Sequence, residues 1–127
     1  MKTQVNELSL KKIIYSFITV LVIILIFTFI DYLFHQLSNE YDVPSYYYIN
    51  KIIYGTIIGF LAYFLTRKQK LLTKTLVFSA GVSIILQIRY YLEGYPLDFV
   101  LLFLGIHFVI LLAVSWRVFK STEKLMH

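Results

Sequence analysis

The sequence predicts an all-α fold, an integral membrane bundle of four transmembrane helices with both termini cytoplasmic. Three observations carry that expectation. The 127 residues are 59% hydrophobic and only 15% charged, where soluble domains run nearer half and a quarter, and the mean hydropathy is +0.75. Four apolar runs each approach the roughly 20 residues of helix that cross a bilayer, and with short connections they consume almost the whole chain as one domain. The basic residues also gather in the segments that a four-helix topology places on one side.

The first helix is expected over 12–36. Lys2, Lys11 and Lys12 lead into the uncharged run Ile13–Ile30. A basic start before an apolar run resembles a signal peptide, but this run is longer than a typical signal core and no small-x-small cleavage site follows. It reads as a retained signal anchor. Thr28, Asp31, His35 and Ser38 fall at helical spacing on one face of its last turns.

Residues 37–45 form a short acidic loop, and Pro44 forbids helix continuation through it. The second helix follows over 46–66. Lys51, Gly55, Gly59, Ala62 and Thr66 make one stripe on it, including a Gly-x-x-x-Gly pair of the kind that lets backbones approach closely in lipid. Lys51 is therefore expected to face a neighbouring helix. After the basic turn Arg67-Lys68-Gln69-Lys70, the third helix is expected over 71–93, with Ala80, Ser83, Gln87 and Tyr90 or Tyr91 on one face. Gly94-Tyr95-Pro96 turns the chain into a fourth helix over 97–119, and a short polar tail ends it.

Orientation follows from counting. Lys2, Lys11, Lys12, Arg67, Lys68, Lys70, Lys74, Arg117, Lys120 and Lys124, ten of the twelve basic residues, lie on the side of the termini. The positive-inside rule makes that side cytoplasmic, and the reading is a multi-pass protein of the cell membrane. Glu40, Asp42, Glu93 and Asp98 lie on the other side. The net charge of +5 thus reports topology, and no nucleic-acid partner is expected.

The absence of cysteine excludes thiolate nucleophiles, disulfide exchange and cysteine-ligated metals. It also excludes the vitamin K epoxide reductase-like and disulfide-forming membrane enzymes, which need cysteine pairs. Pro96-Leu97-Asp98 at the start of the fourth helix, after a third helix of basic end, resembles the phosphate-starvation-inducible PsiE family. The resemblance covers three residues and the topology, lacks that family's acidic second helix, and carries no property over.

The informative feature is a polar layer. At ~1.5 Å of rise per residue, Asp31 lies about 9 Å below the outer boundary, Lys51 about 7 Å, Arg89 about 6 Å, Gln87 about 9 Å and His107 about 13 Å. Ionisable groups at such depth face the bundle, pair with one another or serve a function. The sequence therefore predicts a polar pocket open to the outside, lined by Asp31, His35, Lys51, Gln87, His107 and, nearer the boundary, Arg89. Its bland counterpart is a set of interhelical contacts, such as Asp31 with Lys51, that fix helix register. Arg89 stands about 200° around its helix from Gln87, so it is expected to snorkel or to pair with Glu93 one turn on.

Asp31 and His35, at i and i+4, have the spacing by which a helix presents two metal ligands, but two ligands alone assign no metal. A bis-histidine haem is disfavoured because His35 reads as nearer the surface than His107. No cofactor and no catalytic residue is assigned. Nine of the eleven tyrosines lie in the outer half or outer loops, more than an ordinary interfacial belt needs, and Tyr47, Tyr48, Tyr90 and Tyr91 are expected to wall an outer mouth.

The function expected from these features is binding. The chain would be an accessory or assembly subunit, or an immunity-type protein, with the lipid bilayer and other membrane subunits or copies of itself as partners. A small oligomeric transporter or lipid-headgroup translocator is the alternative. A membrane-embedded enzyme using Asp31 with His35 or His107 as acid and base is the third reading.

Overall fold

The computed structural model describes the backbone of residues 2–126 and the side chains of residues 10–123. Four helices run in order: α1 (Lys2–His35), α2 (Tyr46–Leu65), α3 (Leu71–Leu92) and α4 (Leu97–Met126), with one 3-10 turn at Asn39–Tyr41 between α1 and α2. Each helix is long and apolar enough to cross a membrane. Each packs on two others, α1 on α2 and α4, and α3 on α2 and α4, which is an up-down bundle closed into a square.

Every helix presents one buried stripe at the three-and-four spacing of an α-helix. On α1 it is Thr19, Val20, Ile23, Ile24, Phe27, Thr28, Asp31 and His35; on α4 it is Phe99, Val100, Phe103, His107, Ile110, Leu111, Ser115 and Phe119. The remaining faces stay apolar and exposed, with residues such as Ile18, Phe29, Ile57, Leu61, Ile84 and Val109 on the outside. An aqueous surface would not tolerate so much contiguous apolar area.

The Gly-x-x-x-Gly pair of α2 makes room for side chains of its neighbours. A Cβ at Gly59 would stand 2.7 Å from Phe78 Cε2 and 3.0 Å from Val20 Cγ1, and one at Gly55 would stand 3.2 Å from Ile24 Cδ1. The pair therefore seats α2 against both α1 and α3, and Lys51 one turn earlier is carried inward with it. Hydroxyls on the α3–α4 seam turn back on their own helices, Ser83 onto the Ser79 carbonyl at 2.7 Å and Ser115 onto that of Leu111 at 2.5 Å, so these polar side chains sit in the seam at little cost.

α3 ends in a Schellman turn. The Tyr95 N–H reaches the Tyr90 carbonyl and the Gly94 N–H that of Tyr91, each at 3.2 Å, while Gly94 adopts φ 90°, which a side chain would disfavour. Pro96 then starts the chain upward again. The rings of Tyr90 and Tyr95 meet edge to face at 5.3 Å, the apolar contact that accompanies this motif.

Helix limits differ from the sequence expectation at the two termini. α1 begins at Lys2 instead of 12 and α4 continues to Met126 instead of 119. Hydropathy marks where a segment stops being apolar, whereas the flanks 2–11 and 120–126 hold no proline or glycine to stop a helix at that boundary. The basic residues Lys2 and Lys124, which entered the charge count, lie outside the described side chains. Because the outer connections are short, the extra length of α1 and α4, 34 and 30 residues against 20 and 22 for α2 and α3, overhangs the α2–α3 turn on the side of the termini.

Candidate functional site

Asp31 is the centre of a buried polar cluster drawn from three helices. Its carboxylate is fully enclosed, as are His35, Lys51 and His107, none more than 2% exposed. Oδ1 accepts a hydrogen bond from His107 Nε2–H at 2.8 Å. Oδ2 takes the ammonium of Lys51.

The proton positions follow from the partners. His35 Nδ1 lies 2.6 Å from the Tyr41 carbonyl, and a carbonyl can only accept, so the proton is assigned to Nδ1. His35 Nε2 is then a lone pair, and it accepts from Lys51 Nζ at 3.1 Å. The 3.3 Å separation of His35 Nε2 from Asp31 Oδ2 is a flanking contact around the shared ammonium. One carboxylate thus meets the Lys51 ammonium and two imidazoles. Hydrogen bonds to the imidazoles offset part of the cost of burying such a pair.

Apolar and aromatic groups hold these side chains in place. The His35 ring stacks on Phe103 at 4.1 Å and 2°, and His107 sits edge-on to Phe27 at 5.2 Å. The Lys51 ammonium lies 5.2 Å and 5.3 Å from the ring centres of Tyr48 and Tyr90, within cation–π range. The Tyr41 carbonyl belongs to the 3-10 turn, whose Ser38 hydroxyl accepts from the Glu40 N–H at 3.3 Å, so the loop after α1 is tied into the cluster.

The sequence-predicted residues divide into two groups. Asp31, His35, Lys51 and His107 converge. Gln87 is buried beside them but donates to the Val100 carbonyl of α4 at 2.6 Å, a α3–α4 tie and not a cluster contact. Arg89 is separate: its guanidinium pairs with Glu93 at 3.5 Å with a third of the side chain exposed, over the rings of Tyr47 and Tyr54. Glu93 also accepts from the Tyr47 hydroxyl at 2.5 Å.

The pocket expected to open outward is closed in this structure. Tyr47, Tyr90, Phe99 and Phe103 form one packed layer over the cluster, and the cleft beside Lys51, Tyr54, Arg89 and Tyr90 holds about 10 Å³, the room of one water. Tyr47 and Tyr90 are thus a lid and not the walls of a mouth. Burial pushes the phenol of Tyr95, which packs on this lid, up from its ordinary value. Tyr91, the fourth residue expected in the mouth, is 62% exposed and faces outward with Tyr32, Tyr46 and Tyr54.

Asp31, His35 and His107 offer ligand atoms within 4.8 Å of one another, which is a plausible reach for one cation. The Lys51 ammonium already sits among them, so a metal would bind only if Lys51 withdrew. Sequence reasoning did not find the Tyr41 carbonyl or the Phe103 stack, and it counted Lys74 only as a topology charge although Lys74 lies on the buried stripe of α3. The spacing of Lys74, Phe78, Val82, Leu86 and Tyr90, each four residues from the last, was the signal available for it.

No protein-family model matches this chain, and neither a characterised protein nor a solved structure does.

Proposed function

We propose that the chain is a multi-pass membrane protein with both termini cytoplasmic, acting by binding as an accessory or assembly subunit. The observation that carries this reading is the closure of the polar cluster. Its donors and acceptors meet one another, and the adjoining cleft has no room for a substrate. Asp31 and both imidazoles do lie together, which an acid–base enzyme would require. Yet an enclosed set whose carboxylate is held by an ammonium and an imidazole supports a lock on helix register better than a reaction centre. The exposed tyrosines Tyr32, Tyr46, Tyr54 and Tyr91 are then the surface a partner subunit would meet, since aromatic residues are enriched at such contacts.

Native mass spectrometry of the protein gently extracted from membranes tests this. A stoichiometric partner chain or second copy is the expected result. A solitary protomer across mild detergents would remove the subunit reading.

A second reading, proton-linked transport by a homo-oligomer, has one observation in its favour. Tyr48 Oη, Gln87 Oε1, Tyr90 Oη and His107 Nδ1 are buried around the cluster without hydrogen-bond partners among the described residues, so a moved proton would find new partners there. A pH gradient driving solute flux in proteoliposomes would support it. A protomer alone in native membranes with no flux removes it.

A further inference from the structure

A second buried lysine has no such partners. Lys74, in the first turn of α3, is 5% exposed, and its ammonium makes no ion pair and no hydrogen bond among the described residues. Its nearest polarisable neighbour is the Tyr63 ring, 5.5 Å away. A lysine so placed, with no counter-charge among the described residues, is available to an anion from outside, and here it faces a cavity.

That cavity, about 570 Å³, lies on the side of the termini where α1 and α4 overhang the α2–α3 turn. Its size is that of an ordinary small-molecule site. Besides Lys74 it is lined, among the described residues, by the cations Lys12, Arg67 and Lys68 and by one carboxylate, Glu123, a net positive set. Its other walls are aromatic: Phe60, Tyr63, Phe64 and Phe119. Phe64 is nearly half exposed, and the Arg67 guanidinium lies over its ring at 4.3 Å, so the cavity borders the apolar outer face of the bundle. Lys12 and Arg67 stand at the ends of the apolar spans of α1 and α2, which is the level of lipid phosphates.

We propose that this cavity binds the phosphate of an anionic phospholipid from the surrounding leaflet. Lys74 meets the phosphate from below, Arg67 and Lys12 hold it at the rim, and an acyl chain follows Phe60 and Phe64. Among the described residues, four cations against one carboxylate call for an anion; the aromatic walls and the opening toward the apolar face call for one that carries a tail. The inference rests on the chain spanning a bilayer and is independent of what the Asp31 cluster does.

The test is native mass spectrometry of the intact purified protein, titrated with phosphatidylglycerol, with phosphatidylcholine and with inorganic phosphate alone. One phosphatidylglycerol should be retained at least about tenfold more tightly than phosphatidylcholine, and phosphate alone should not be retained. Lys74→Gln should weaken phosphatidylglycerol about tenfold, while Arg117→Gln, which removes an exposed charge near the same end, should leave it unchanged. If Lys74→Gln does not fold, Arg67→Gln at the exposed rim should give a loss of several-fold in the same titration. Equal retention of the two lipids, equal losses for Lys74→Gln and Arg117→Gln, or phosphate alone binding as well as the lipid would each overturn the proposal. A chain released from membranes by alkaline carbonate would instead sink the membrane-spanning premise.

Discussion

Among the described residues two lysines are buried, one near each end of the bundle, and their surroundings differ in almost every respect. Lys51 lies under a packed aromatic layer with a carboxylate on one side and an imidazole lone pair on another. Lys74 has one aromatic ring beside it and a cavity in front. The first end is closed around an ion pair; the second is open and, among the described residues, net positive. Burial alone therefore does not say what a polar group is for. On the readings proposed above, the charge with its partners present holds the scaffold, and the one without a partner among the described residues awaits a ligand.

Breaking the closed end should have the largest effect. Lys51→Leu leaves the Asp31 carboxylate enclosed without its cation, a change that costs about 3–5 kcal/mol for a buried pair. Unfolding followed in detergent micelles should show that loss while the chain still inserts. Asp31→Asn with Lys51→Leu should lose markedly less than the sum of the two single variants, because residues of one network are not additive. Strict additivity would show that the two side chains do not act as a pair.

Lys74 should behave in the opposite sense. Lys74→Met removes an uncompensated charge and keeps most of the volume, so lipid-free protein should be unchanged or more stable by up to about 1 kcal/mol. A loss comparable to that of Lys51→Leu would erase the distinction between the two ends. The smallest effect belongs to Arg89, whose pairing with Glu93 is exposed. Arg89→Gln should cost about 0.5 kcal/mol and the loss should shrink in high salt; a salt-independent loss of several times that size would place Arg89 in the buried network.

Much of this was legible along the chain. The α-helical period told which residues share a face, so Thr28, Asp31 and His35 on α1 and Lys51, Gly55 and Gly59 on α2 lie inward as their spacing implies. The Gly94-Tyr95-Pro96 turn followed from the φ that glycine accepts and the hydrogen bond that proline lacks. The separation of Arg89 from Gln87 followed from their angle on one helix.

What the period within one helix does not contain is the rotation and axial shift of one helix against another. Those come from interdigitated side chains, such as Val20 and Phe78 against Gly59, and from ties such as Gln87 to Val100. Only that packing decided that His107, estimated several ångströms deeper than His35, meets the same carboxylate. It alone also decided that Tyr47 and Tyr90 close the layer they were expected to open, and that the overhang of α1 and α4 leaves Lys74 facing a cavity. By itself the sequence determined four helices, their inward faces and the inventory of polar groups on them, because these depend on local geometry. Which of those groups found one another was decided by tertiary structure, because a partner on another helix is a matter of packing.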